Sequence, residues 1–110
     1  MQECEIALED AIELVEANKS IFVWIGGWTN TPLADLLGID HSKVIDKNPF
    51  SLIDRDSYPE ELKMYEAPIF VCHHGVTSFQ IVKELEKEGI KGYSLADGIE
   101  GIKSRHRPIS

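Results

Sequence analysis

Residues 69–79 read Ile-Phe-Val-Cys-His-His-Gly-Val-Thr-Ser-Phe. A short apolar run ends at Cys72, a loop containing Gly75 follows, and a helical pattern begins near Thr77 or Ser78. If the run is a strand of a parallel sheet, Cys72 stands at its carboxyl end, where such sheets bind ligands. A loop leading from strand to helix can aim several backbone N–H groups at one centre, and the positive end of the helix dipole adds to them. A cysteine held there has its thiolate stabilised, and the thiolate is the nucleophilic form. Gly75 allows the positive φ that a tight cradle needs. Thr77 and Ser78 carry hydroxyls that can cap the helix or hydrogen-bond a sulfur or oxygen anion.

Cys72, His73 and His74 are also potential metal ligands. Three consecutive residues converge poorly on one tetrahedral ion, and no second His/Cys cluster accompanies them, so neither a metal nor another cofactor is expected. The two imidazoles are then either exposed loop groups or donors to a substrate, cationic at lower pH. Cys4, the second thiol, reads as incidental rather than as a resolving cysteine. Trp24 and Trp28 flank Gly26-Gly27 and suit core or rim packing ahead of a substrate wall. Lys103, Arg105, His106 and Arg107 form the one basic cluster. It is ordinary solvated surface unless the fold brings it to the loop, where it would draw in an anion.

The flanking segments indicate how the loop is held. Leu8, Ala11, Ile12, Leu14 and Val15 recur at helical spacing opposite Glu9, Asp10, Glu13 and Glu16, predicting an amphipathic helix of about three turns. A short edge strand over residues 3–6 precedes it. Residues 20–25, Ser-Ile-Phe-Val-Trp-Ile, are too short and too rich in β-branched and aromatic side chains for a helix, and predict a buried strand. Thr31-Pro32 reads as a cap with Pro at the first helical position, opening a short helix that ends at Gly38. Residues 43–46 predict a strand. Ser57 caps a short helix containing Leu62 and Met64. Residues 69–71 predict a buried strand, and residues 78–88 a helix with Phe79, Val82 and Leu85 inward, Ile81 beside them and Gly89 as its stop. A strand at 93–95 and a final helical turn carrying Ile99 and Ile102 complete the order. Strands alternating with helices imply an α/β domain: a mainly parallel central sheet of about five short strands, with helices on both faces.

The chain's 110 residues suit one domain, residues 1–110, with a core that needs no disulfide or metal. Eleven Lys and Arg stand against nineteen Asp and Glu, a net charge of −8. Binding a phosphate backbone requires clustered cations, so no nucleic-acid partner is expected. No apolar stretch is long enough to span a bilayer, and the Met-Gln-Glu-Cys-Glu start is acidic where a secretory signal is basic. A cytoplasmic protein with free thiols and no membrane association is therefore expected.

Cys-His-His-Gly-Val-Thr, residues 72–77, resembles the active-site loop of the rhodanese family, written C-x-x-G-V-T in several thiosulfate and mercaptopyruvate sulfurtransferases. Residues 78–90 resemble the family's next helix. Gly92-Tyr93-Ser94-Leu95-Ala96-Asp97-Gly98-Ile99 resembles its following strand and Gly-Gly-Ile turn, and Pro108-Ile109 its closing Leu-Pro-Val. Gly38-Ile39-Asp40-His41 through Pro49 resembles the family's Gly-His-Ile-Pro-Gly-Ala segment more faintly.

The resemblance implies a rhodanese-like domain that transfers sulfur in two steps. Cys72 takes a sulfane sulfur from a small donor of the thiosulfate or mercaptopyruvate type, becoming a persulfide, and a thiol or cyanide acceptor removes it. A thioredoxin-like protein is a candidate partner. His73, His74, Gly75, Val76, Thr77 and Ser78 would surround the substrate, with the amides of residues 73–77 cradling the persulfide and the Thr77 hydroxyl assisting. Three departures stand out. Trp24-Ile25-Gly26 replaces the Asp-Val-Arg common in the family, Ile102 stands for the usual Trp of the last helix, and the histidines replace the Arg and Lys of thiosulfate-using relatives. The fold also hosts phosphatases, which need an Arg six residues after the Cys to grip phosphate; Ser78 occupies that place. The alternative to an enzyme is a catalytically idle rhodanese-like binding domain.

Overall fold

Five short strands lie side by side in one sheet: β1 (Glu5–Ile6), β2 (Phe22–Trp24), β3 (Val44–Asp46), β4 (Ile69–Val71) and β5 (Tyr93–Leu95). Their order across the sheet is β1-β5-β4-β2-β3, and every neighbouring pair is parallel. The computed structural model describes residues 4–29, 31–49, 52 and 58–106, of which 103–106 as backbone. The expectations placed on Glu3, Ser57 and Pro108-Ile109, and on the side chains of the basic cluster, lie outside the described residues.

Parallel neighbours need crossovers, and helices supply them: α1 (Leu8–Glu16), α2 (Leu33–Leu37), α3 (Glu60–Lys63), α4 (Val76–Lys87) and α5 (Gly98–His106), with a 3-10 turn at His41–Lys43 ahead of β3. The chain leaves β2 through α2 towards β3 on one side. It leaves the adjacent β4 through α4 towards β5 on the other. The connections diverge, which puts a topological switch point between the carboxyl ends of β2 and β4, where doubly wound sheets place their crevice.

Side-chain alternation sorts the core into two layers. Phe22, Trp24, Ile69, Val71 and Leu95 face one way, into what is here the upper layer, onto Ala11 and Val15 of α1, Leu33 of α2, and Ile99 and Ile102 of α5. Ile21, Val23, Ile25, Phe70 and Cys72 face the other, onto Leu62 of α3 and Ile81, Val82 and Leu85 of α4. Central β2 and β4 are buried along their whole length, which is why they read as continuous apolar runs, whereas edge strand β3 ends on exposed Asp46.

Several boundaries differ from the sequence reading. Pro32 is the N-cap of α2 rather than its first residue, while Gly38 closes that helix in the left-handed region as anticipated. Pro59 caps α3. α4 starts at Val76, two residues early, because Gly75 at φ 88° turns the chain sharply into the helix. Its inner stripe becomes Ser78, Ile81, Val82 and Leu85, with Phe79 half-buried. α5 is a nine-residue helix instead of a single turn.

Tyr58 is 5% exposed in the lower layer, and its hydroxyl is buried without a hydrogen-bond partner among the described residues. Burial pushes its pKa up to about 12. The folded state thus holds a proton that the unfolded chain releases near pH ~10. Stability from this group is complete below that value and falls as pH rises from about 10 towards about 12. Tyr58→Phe removes the orphaned hydroxyl. Urea titration of this variant is expected to show about 1 kcal/mol more stability at neutral pH and a shallower alkaline loss than the parent; an unchanged alkaline slope would mean that another group governs it.

Candidate active site

Cys72 follows β4 directly, and the alternation of Phe70 towards α4 and Val71 into the opposite core layer aims its side chain under the head of α4. Two backbone amides point at its sulfur: Gly75 N–H donates to Sγ over 3.1 Å and Ser78 N–H over 3.3 Å. Both belong to the turn that opens α4, so hydrogen bonds and the helix dipole act together to favour negative charge on the sulfur. The thiol proton has an acceptor in Ser78 Oγ, 3.4 Å away. Ser78 Oγ in turn meets Ser94 Oγ of β5 at 2.7 Å. Cys72 is only 4% exposed.

The loop is also gripped by a second helix head, from the side opposite α4. Ile99 N–H and Glu100 N–H, at the start of α5, donate to the carbonyls of Cys72 and His73 over 2.8 and 3.0 Å. This approach explains Gly98: it adopts φ 57°, and a Cβ there would collide with the Cys72 carbonyl oxygen. Asp97, just before it, takes the left-handed region at φ 63°.

His73 extends across the crevice. Its Nε2 lies 2.9 Å from the Gly26 carbonyl, which can only accept, so Nε2 carries the proton. Its ring stands edge-on to Trp24 with centroids 5.1 Å apart. Trp24 Nε1–H donates to the Gly27 carbonyl at 2.6 Å, and the indole lies where a Gly26 side chain would go. The segment Trp24-Ile25-Gly26, which departs from the family's Asp-Val-Arg, therefore ties the exit of β2 to the loop through an indole and an imidazole. Ile102 is buried in the upper layer.

The remaining candidates are placed as follows. His74 is exposed and shares a cleft with Leu8, Leu95, Asp97 and Glu100. Val76 is exposed on the first turn of α4, and Thr77 is exposed there too. The hydroxyl that meets Cys72 is that of Ser78, not Thr77. Trp24 belongs to the core, whereas Trp28 is 81% exposed and lines a groove with Gly26, Gly27 and Asn48. Cys4 precedes β1, beside Gly92 and Tyr93 at the amino end of the sheet, opposite to Cys72; both thiols are free. No group of three His, Cys, Asp or Glu fit to hold a metal exists among the described residues. No helix among them is long and apolar enough to cross a membrane.

Two contributors escaped the sequence reading. Ser94 is a buried serine in a strand otherwise chosen for packing, and a polar residue at an inward position is the signal it left. The amides of Ile99 and Glu100 left no signal beyond the Asp97-Gly98 pair, which reads simply as a turn.

No family model and no curated protein matches the chain in sequence. Solved structures do match it in shape. A rhodanese-related protein from Thermoplasma volcanium superposes with a TM-score of 0.63 at 16% identity, covering 96% of each chain. A protein from Lactobacillus plantarum superposes with a TM-score of 0.59 at 18% identity, covering 96% of this chain and 86% of its own. Identities this low speak for shape alone. Together with the all-parallel sheet and the Cys72 loop at its switch point, they give the chain the rhodanese-like α/β fold.

Proposed function

We propose that the protein is a sulfurtransferase that carries a sulfane sulfur as a persulfide on Cys72. The observation that carries this reading is the sulfur itself, with the amides of Gly75 and Ser78 both directed at it from the opening turn of α4. In the first step the Cys72 thiolate attacks the outer sulfur of a donor such as thiosulfate. The donor's S–S bond breaks, sulfite leaves with the electron pair, and Cys72 is left as an anionic persulfide. In the second step a nucleophile such as cyanide attacks the terminal sulfur, thiocyanate departs, and the Cys72 thiolate returns.

The near-complete burial of Cys72 favours small, slender donors. Loading places the reactive sulfur about 2 Å beyond Sγ, which extends its reach towards a thiol acceptor. We assign the acceptor to the class of thiols, a thioredoxin-like protein included, and the setting to the cytoplasm, where both cysteines stay reduced. A catalytically idle binding domain is the competing reading, favoured by the same burial and by the missing Asp-Val-Arg.

Intact-mass analysis after incubation with thiosulfate or mercaptopyruvate tests the reading. The parent and Cys4→Ser should each gain one sulfur atom and lose it again to cyanide, and Cys72→Ser should gain none. Retention of the gain in Cys72→Ser would move the site elsewhere, and absence of loading from any donor in folded, reduced protein would favour the idle domain. Aryl phosphates should not turn over, because Ser78 cannot grip phosphate as Arg does; turnover that vanishes in Cys72→Ser would replace sulfur transfer with phosphate hydrolysis.

His74 offers a test of donor choice. It is exposed on the loop, whereas the ring of His73 is engaged with Gly26. A permanent cation at position 74 should attract a dianion, so apparent thiosulfate affinity should be roughly two- to fivefold tighter in His74→Lys than in His74→Gln at low salt, and the two should converge at high salt. Equal affinities at low salt would make His74 a bystander.

A further inference from the structure

The side chain of Ser94 lies 22 residues from Cys72 in sequence and makes no contact with the sulfur, yet it ends a hydrogen-bonded chain that starts there. Cys72 Sγ meets Ser78 Oγ, Ser78 Oγ meets Ser94 Oγ at 2.7 Å, and Ser94 Oγ meets the Gly75 carbonyl at 3.5 Å. Both serines are fully buried. Sheet register puts Ser94 there: it pairs with Phe70, so its side chain points with that of Phe70 towards α4.

We propose that Ser94 is a positioning residue for the Cys72 sulfur, turning the Ser78 hydroxyl from acceptor to donor when that sulfur becomes anionic. In the thiol form the hydrogens run one way: Cys72 S–H donates to Ser78 Oγ, Ser78 O–H to Ser94 Oγ, and Ser94 O–H to the Gly75 carbonyl. When the thiol proton leaves to solvent, each hydroxyl rotates about its C–O bond and the direction reverses. Ser94 O–H now donates to Ser78 Oγ, and Ser78 O–H donates to the anionic sulfur. No proton passes between the serines, and no atom is gained or lost except the departing thiol proton. The reversal leaves nothing stranded, because the Gly75 carbonyl keeps the Phe79 amide at 3.2 Å.

A lone Ser78 hydroxyl would do less. Buried beside the sulfur, it needs a partner for its own oxygen, and a donor behind it strengthens the hydrogen bond it gives forward. The amides of Gly75 and Ser78 are fixed donors in every state, whereas the serine pair alone can follow the charge on the sulfur. The same arrangement serves any anion Cys72 carries, thiolate or persulfide. The inference deepens the sulfurtransferase reading at the same site, but it requires only that Cys72 ionise.

The test is the rate of Cys72 alkylation by iodoacetamide against pH, in a Cys4→Ser background so that one thiol reports. The titratable groups around the sulfur are His73 and His74 on the loop, Asp97 against Gly75, Glu100 at the head of α5, and Tyr58 in the same apolar layer. All are common to the proteins compared, so a difference isolates the serines. The pH of half-maximal alkylation should move up by roughly half a unit in Ser94→Ala and by roughly one unit in Ser78→Ala. The double variant should match Ser78→Ala alone, because Ser94 acts through Ser78.

Ser94→Thr returns a hydroxyl and should restore the parent profile. The inference fails if Ser94→Ala superimposes on the parent, if the two alanine shifts add in the double variant, or if Ser94→Thr melts like the parent but keeps the alanine profile. The single and double alanine variants, which only remove atoms, decide the matter even where threonine overfills the site. Sulfur loading of the parent is scored separately, so a protein that alkylates as described but never loads sulfur would retire the transfer reading and leave this one standing.

Discussion

The direction of one side chain governs the site. Because residues alternate along β4, burying Phe70 against α4 sends Cys72 to the same layer, beneath the turn where Gly75 and Ser78 present their amides. A slip of one residue in the pairing of β4 with β2 or β5 would send the sulfur to the opposite layer, among Trp24, Leu95 and Ile99. The apolar pattern of residues 69–71 therefore sets where the sulfur points as well as contributing to stability. Hydrogen bonds to a charged group contribute about 1.5–3 kcal/mol each, enough for two amides to alter the reactivity of a thiol; the full core behind them keeps those amides from drifting.

The crevice between β2 and β4 is spanned by aromatic groups in place of an ion pair. Trp24 packs in the upper layer, folds its indole over Gly26 and satisfies the Gly27 carbonyl, while His73 satisfies that of Gly26. An acid and an arginine hold two loops by charge and weaken as salt rises; an indole and an imidazole hold them by packing and neutral hydrogen bonds, which salt screens little. The chain also avoids burying charges in a molecule already carrying a net −8.

Much of this was legible in the sequence. The strand at 69–71 falls where the apolar run puts it, because two-sided burial leaves an unbroken run with clear ends, and the strand at 93–95 falls where it was expected. The loop at 72–77 was legible because a glycine, two hydroxyl residues and a cysteine occur together between a strand and a helix. The start of α4 is harder to read, because Gly75 enters it in the left-handed region with no side-chain cap and the usual Ser or Thr signal points too far along. The burial of Ser78 is masked for the same reason, since a stripe starting at Phe79 leaves the serine outside it. Ser94 left only the faint signal of a polar residue inside a strand, and the amides of α5 left none: their roles depend on sheet register and on backbone groups, which residue types do not spell out.

The grip of α5 on the loop also sets a timetable. The carbonyls of Cys72 and His73 are held by amides that come almost thirty residues later, and Ser94 is later than Cys72 as well. A growing polypeptide exposes Cys72 while β4 still lacks its neighbour β5 and the loop lacks its floor. Non-local contacts of this kind form only once their loop-closure entropy has been met. Until residues 94–100 dock, the loop lacks the amides of Ile99 and Glu100 and the hydroxyl of Ser94, so the surroundings of Cys72 are complete only when β5 and α5 have joined the sheet.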